Sequence, residues 1–397
     1  MRSKNLLGAL SLVATVALPA VASARPPQVE LLHKAETGSM PKGAALSPDG
    51  NTLYVTNFGQ KDRNNVTILD AHTLAPKGRI DLAGNVVESV LSNDGKTLYV
   101  SNFGRNSVEF VDVASKTVTR EVKTDTHPKI LVLSPDGKNL FAANWASHSV
   151  TQIDVGSGSV VRTLQTGQQP RGMAMSRAGT LFVANFNGAS IDVFKGKDFS
   201  DHARVKACTI PRHLALSPDE KTLYVSCYMA SQVHAYDVAT MAVTKKVAVG
   251  SAPKSLEVSR DGRWVYTADY GQETNSVSVI DTRDFTARVF PIHGMQRGSG
   301  VAVSHDGRHA YVTGWLDSHV YMVGLKPDAP STEAPQVAKR ETEHEGDEPK
   351  SKVEPKDSKE NAEAAVVAHA AKKEARAIPR TATAKGTKGS RAHAKPL

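Results

Sequence analysis

Apolar and polar positions along this chain recur on the scale of short β-strands and do not keep a helical spacing. One stretch carries the pattern in full: Pro128-Lys-Ile-Leu-Val-Leu-Ser-Pro-Asp-Gly-Lys-Asn-Leu-Phe-Ala-Ala-Asn-Trp145. An apolar strand runs into Ser-Pro-Asp-Gly, whose Asp-Gly pair supplies a tight turn with an accessible positive φ. A second strand follows, as in Thr52-Leu-Tyr-Val-Thr56, and then an aromatic residue and a short polar loop. A third strand alternates, as in Ser107-Val-Glu-Phe-Val111, and usually ends in Asp. A fourth is rich in Thr, Val and charge, as in Thr117-Val-Thr-Arg-Glu-Val122.

This unit occurs seven times. Its serine falls at Ser47, Ser92, Ser134, Ser176, Ser217, Ser259 and Ser304, with steps of 45, 42, 42, 41, 42 and 45 residues. A fixed period in this range marks a repeat architecture. Four hairpin-joined strands make one blade, and seven blades predict an all-β, seven-bladed propeller of four-stranded antiparallel sheets. The last repeat shows only three strands of its own, at 300–303, 309–313 and 319–323. Residues 28–34 alternate like a fourth strand and are predicted to close the last blade, covering an otherwise open edge.

Alignment on the serine lets each position be read seven times. Five residues before it stand Lys42, Val87, Lys129, Arg171, Arg212, Lys254 and Ser299. The chain returns here from the rim to the innermost strand, so five cations could ring the mouth of the central channel and focus an anionic ligand. Outward-pointing side chains that merely solvate the face are the alternative. Arg297 could replace the basic residue missing from the seventh repeat. The next position breaks symmetry with Glu88 and His213, either of which could contact ligand or catalyse. Asn57, Asn102, Asn144 and Asn185 recur after the second strand, where an amide side chain can pin a tight loop. An aromatic residue always follows: Phe58, Phe103, Trp145, Phe186, Tyr228, Tyr270 and Trp315. Seven of seven suggests a scaffold demand, with a stacking platform for bases or sugars as the alternative. The aspartates ending the third strands read as turn caps. They sit on different blades and are not expected to gather a metal ion, and no metal site or cofactor motif is evident.

Residues 1–24 combine a basic start, an apolar run from Leu6 to Ala20 and the small-x-small Ala22-Ser-Ala24, the pattern of a secretory signal peptide. The run is too short to span a membrane, and no second long one exists. The propeller is assigned to 25–328. The tail, 329–397, lacks aromatic residues and segregates its charge: nine acidic and four basic side chains in 341–363, then eight basic and one acidic in 372–397. Such composition predicts a disordered extension, either solubilising or a basic tether to an anionic polymer, lipid or nucleic acid. The formal net charge of +9 favours anionic partners without naming one. The two cysteines, Cys208 and Cys227, fall at strand ends on one face, so an exported protein could bridge neighbouring blades with them or keep two buried thiols.

The units Leu53-Tyr-Val-Thr-Asn57 and Leu98-Tyr-Val-Ser-Asn102, with the full unit from Pro128 to Asn144, resemble the YVTN-repeat (YncE-like) seven-bladed propeller family over residues 28–325. The resemblance implies an exported binding scaffold. The fold is shared with phosphogluconolactone lactonases, streptogramin lyases and the d1-haem domain of nitrite reductase, none of which supplies a motif placed on these residues. The expectation is a non-enzymatic, monomeric periplasmic or secreted protein without cofactor. It would bind an envelope protein, a peptide, an anionic polymer or nucleic acid at the face carrying Lys42, Lys129, Arg171, Arg212, His213, Lys254 and Arg297. The alternatives are a lactonase or lyase using His213 and Glu88, and a structural envelope protein anchored by its tail.

Overall fold

The computed structural model describes residues 28–60, 63–271 and 274–326. The signal peptide and tail assigned above lie outside them.

Seven four-stranded antiparallel sheets form the blades, six of them from consecutive strands in the order inner to outer. The seventh has the order Gln28–Glu36, His319–Lys326, His309–Gly314, Gly298–Val303. The amino-terminal strand therefore closes the ring as its sequence predicts, running two residues further than 28–34. It pairs from Gln28 with Lys326 to Glu36 with His319, with a bulge between Leu31 and His33.

Burial explains the residue types of each strand. Second strands such as Leu53 to Asn57 are buried on both faces, because each blade is covered by its two neighbours. They therefore read as continuous apolar runs. Outer strands such as Thr117–Lys123 are largely exposed and carry Thr, Lys, Arg and Glu. The hydrophobic clusters lie between blades. Ala174, Phe182 and Ile191 of blade four pack with Leu223, Val225 and Tyr236 of blade five. Tyr311 of blade seven packs with Leu53 and Leu69 of blade one and donates its hydroxyl to Ala71 O at 2.6 Å.

The repeating serine closes the first hairpin. Ser134 Oγ donates to Asp136 (2.6 Å) and accepts from the Asn139 amide (2.9 Å), while the glycine, Gly137, takes φ 71°. The same bonds recur at Ser92, Ser217, Ser259 and Ser304. Asp70, Asp112, Asp154 and Asp237 cap the turns after their third strands, as in the Asp112 carboxylate accepting from Ser115 N at 2.7 Å.

Candidate functional site

All seven innermost strands carry a register shift at their start, as between Pro41 and Ala44 or between Pro128 and Leu131. The basic position falls inside this bulge. A bulge re-aims a side chain, and here it turns five cations inward. Lys42, Lys129, Arg171, Arg212 and Lys254 are all at least nine-tenths buried and line one cavity together with Val87, Glu88, His213 and Ser299. In four blades the amide freed by the bulge is held by the residue before the Asn position. Gly43 N donates to Thr56 Oγ1 (2.9 Å), Glu88 N to Ser101 Oγ (3.0 Å), His213 N to Ser226 Oγ (2.9 Å) and Gly300 N to Thr313 Oγ1 (2.8 Å). Three of these hydroxyls also donate to the next blade: Thr56 to Val87 O (2.7 Å), Ser101 to Lys129 O (2.6 Å) and Thr313 to Lys42 O (3.3 Å).

The aromatic position interleaves with the basic one. Each aromatic amide donates to the loop entering its own blade, as Trp145 N does to His127 O (3.0 Å) and Trp315 N to Arg297 O (2.9 Å). This places the rings beside the cations. Lys129 lies 4.1 Å from the Trp145 centroid and 5.6 Å from Phe103. Lys42 lies 4.7 Å from both Phe58 and Trp315, and Lys254 4.2 Å from Tyr270. Arg212, the most deeply buried of the five, stands 4.6 Å from Tyr228 and 5.4 Å from Phe186. A cation over an aromatic face is stabilised by the ring quadrupole, more so when desolvated. The rings therefore help to hold the charged groups in place. Arg297 lies 5.0 Å from the Tyr270 centroid, outside the residues lining the cavity.

The cavity encloses about 20 Å³, room for about one water-sized group. Two of its lining atoms, Ser299 Oγ and His213 Nδ1, are buried without a hydrogen-bond partner among the described residues. Burial, opposed by a bond to the Leu256 backbone and aided by Arg171 and Arg212, lowers the His213 pKa to about 4, so its imidazole is neutral near pH 7. Glu88 reaches across to blade one, where a β-carbon on Gly43 would stand 2.1 Å from its Oε1. Burial pushes its carboxyl up to about 7 despite the Ser89 amide and Lys42.

Two residues before the repeat serine, one repeat carries Glu257 where the other six are apolar. The equivalent positions are Ala45, Val90, Val132, Ala174, Ala215 and Ala302. Glu257 lines a wider cavity of about 540 Å³ formed by blades one, two, six and seven, and accepts from Val303 N at 3.1 Å. Burial pushes this carboxyl up to about 8, with Val303 opposing and Glu88 adding to the shift. The sequence pattern contained this residue, but without the ring nothing set it beside Glu88.

The Asn position is structural. Asn144 and Asn185 donate to the third strand, Asn144 to Thr151 Oγ1 (2.8 Å) and Asn185 to Asp192 Oδ2 (2.9 Å). Asn57 and Asn102 also donate to loop carbonyls, at Asn64 and Ala83. Asp269 replaces Asn in blade six, accepts from Thr267, Ser276 and Ser278, and is pushed up to about 7 by burial against those three bonds. In blade five Cys227 stands there and forms a disulfide with Cys208, with Cα atoms 5.8 Å apart. In blades one and four the corresponding approach is glycine against that side chain: a β-carbon on Gly38 or Gly167 would stand 2.6 Å from Asn57 or Asn185.

A family model for YNCE-like β-propellers matches residues 83–320. The chain belongs to the YncE-like β-propeller family. The YncE-like assignment is consistent with an exported protein, and no helix among the described residues is long and apolar enough to cross a membrane. A stretch of 121 residues is 28% identical to antigen Lp49 of Leptospira interrogans serogroup Icterohaemorrhagiae serovar copenhageni. That match spans 28% of this chain and about a quarter, 26%, of the antigen. Among solved structures, a chain of Kuenenia stuttgartiensis hydrazine synthase superposes with a TM-score of 0.65 at 21% identity, covering 74% of this YncE-like chain and 98% of its own. At that identity the likeness is one of fold.

Proposed function

We propose that this protein is an exported, non-enzymatic binding scaffold that takes an anionic group of its ligand at the basic mouth of the propeller. The observation that carries this reading is the convergence of Lys42, Lys129, Arg171, Arg212 and Lys254 on one cavity that also holds the orphan Ser299 Oγ and His213 Nδ1. Like charges drawn together in a low-dielectric site repel one another, and an anion bound among them relieves that repulsion. A cavity of about 20 Å³ admits about one oxygen of a carboxylate or phosphate at a time. The ligand, whether acidic peptide, protein surface, anionic polymer or nucleic acid, therefore presents a single charged group to the ring and lies across the aromatic face with the rest. The lactonase or lyase alternative draws less support: Glu88 and His213 line this same cavity, but about 20 Å³ leaves no room beside them for a lactone ring.

The test is calorimetric titration with inorganic phosphate and with an aspartate octapeptide at two salt concentrations. Binding should weaken with salt. Lys129→Gln and Arg171→Gln should each weaken it by about tenfold, the worth of one hydrogen bond to a charged group. Equal affinity in wild type and the double variant would overturn the proposal.

A further inference from the structure

His234 lies on the third strand of blade five (Gln232–Asp237), at the position where other blades place Thr67, Thr151, Asp192 or Ser278 to bond the Asn side chain or its replacement. Blade five has Cys227 in place of that Asn, so the histidine is not needed for the usual bond. Its Nε2 instead donates to Gln232 Oε1 at 2.9 Å, and its Nδ1 is buried with no hydrogen-bond partner among the described residues. The residue is 6% exposed. An imidazole whose Nε2 proton is fixed by an outer partner leaves a bare lone pair on Nδ1, the arrangement a metal-bound histidine requires. The sulfurs of Cys208 and Cys227 and a ring nitrogen of His234 all lie within 4.8 Å of one another. Two thiolates and an imidazole suit a soft or borderline divalent cation such as Zn²⁺.

We infer that Cys208, Cys227 and His234 form a redox-gated metal site: closed as a disulfide, and open to one divalent cation of the zinc class once the disulfide is reduced. Reduction by a dithiol proceeds by exchange. The S–S bond breaks, the dithiol becomes a cyclic disulfide, and both cysteines leave as thiols. The cation then displaces both thiol protons, forms two metal–sulfur bonds and takes the Nδ1 lone pair, releasing two protons to solvent. Gln232 acts as the positioning residue, holding the ring in the ligating tautomer. This revises the expectation of no metal site, which rested on carboxylates scattered among blades and not on the cysteines.

The experiment uses the full chain, reduced with a dithiol, freed of it anaerobically and titrated with Co²⁺ as a spectroscopic stand-in for Zn²⁺. Reduced wild type should bind one equivalent with a thiolate-to-cobalt charge-transfer band, and the oxidised protein should show no such band. Gln232→Leu should weaken binding by about tenfold, and His234→Thr, which installs the residue of blade one, by more. Cys227→Asn, which installs the residue of blades one to four, should keep the fold and lose the band. Absence of the band in reduced wild type would overturn the inference, as would unchanged affinity in His234→Thr. Loss of the β-sheet far-ultraviolet signature on reduction would overturn it too, because only the folded blade brings His234 to the sulfurs.

Discussion

The Thr or Ser of the repeating Tyr-Val-Thr-Asn unit holds the amide of the inner-strand bulge and, in three blades, reaches the next blade. A hydroxyl can do both because it accepts and donates at once. Blades with Ala143, Ala184 or Ala268 in that position forgo the bonds. Buried carboxyls are the other residue-scale feature. Glu88, Asp269 and Glu257 are raised to about 7, 7 and 8, in each case by burial first. Between the ordinary carboxyl range and pH 8 the unfolded chain has lost protons that the folded ring keeps. These groups therefore contribute stability that is full only below the ordinary carboxyl range at about pH 4 and is lost progressively as pH rises from there through 7 to 8. His213, lowered to about 4, works in the opposite sense and only below its ordinary range near 6.5. Thermal melts should accordingly show Tm falling between pH 6.5 and 8, and Glu257→Gln should flatten that slope. A slope unchanged by the substitution would show that the Glu257 carboxyl is not held protonated.

At the scale of elements, the second strands, Ser-Pro-Asp-Gly hairpins and exposed outer strands were readable because each is decided locally, by burial pattern and turn chemistry. The bulges were not. A two-residue irregularity leaves the apolar pattern intact while changing the direction of the basic side chain, so the sequence left inward and outward readings open. The link between blades four and five also belongs to this scale. The disulfide joins residues 19 apart, and a loop of that size confers about 3 kcal/mol by restricting the unfolded chain. Reduction, or Cys208→Ser, should lower the unfolding free energy by about that amount in denaturant melts. An unchanged midpoint would mean that the bridge adds no net stability to the fold.

The whole molecule depends on closure. Blade seven borrows Gln28–Glu36 from the chain start, and Thr313 of that blade reaches Lys42 O of blade one. Because each blade is covered by its neighbours, an open seam exposes the apolar faces on both sides of it. Deletion of residues 28–36 should therefore lower the melting temperature of the ring as one unit, read by far-ultraviolet circular dichroism. A full-height transition at the wild-type temperature would show that the seam does not carry closure. By itself the sequence determined the count of blades, the strands in each and the segment that closes the last, because a period repeated seven times averages out local irregularity. Only the tertiary structure decided which side chains share a space. Lys42 meets Trp315, Glu88 meets Gly43, and Cys208 and Cys227 meet His234 through blade contacts and bulge geometry. These juxtapositions depend on how one blade is set against the next or how strands lie within it, a relation that no single repeat encodes.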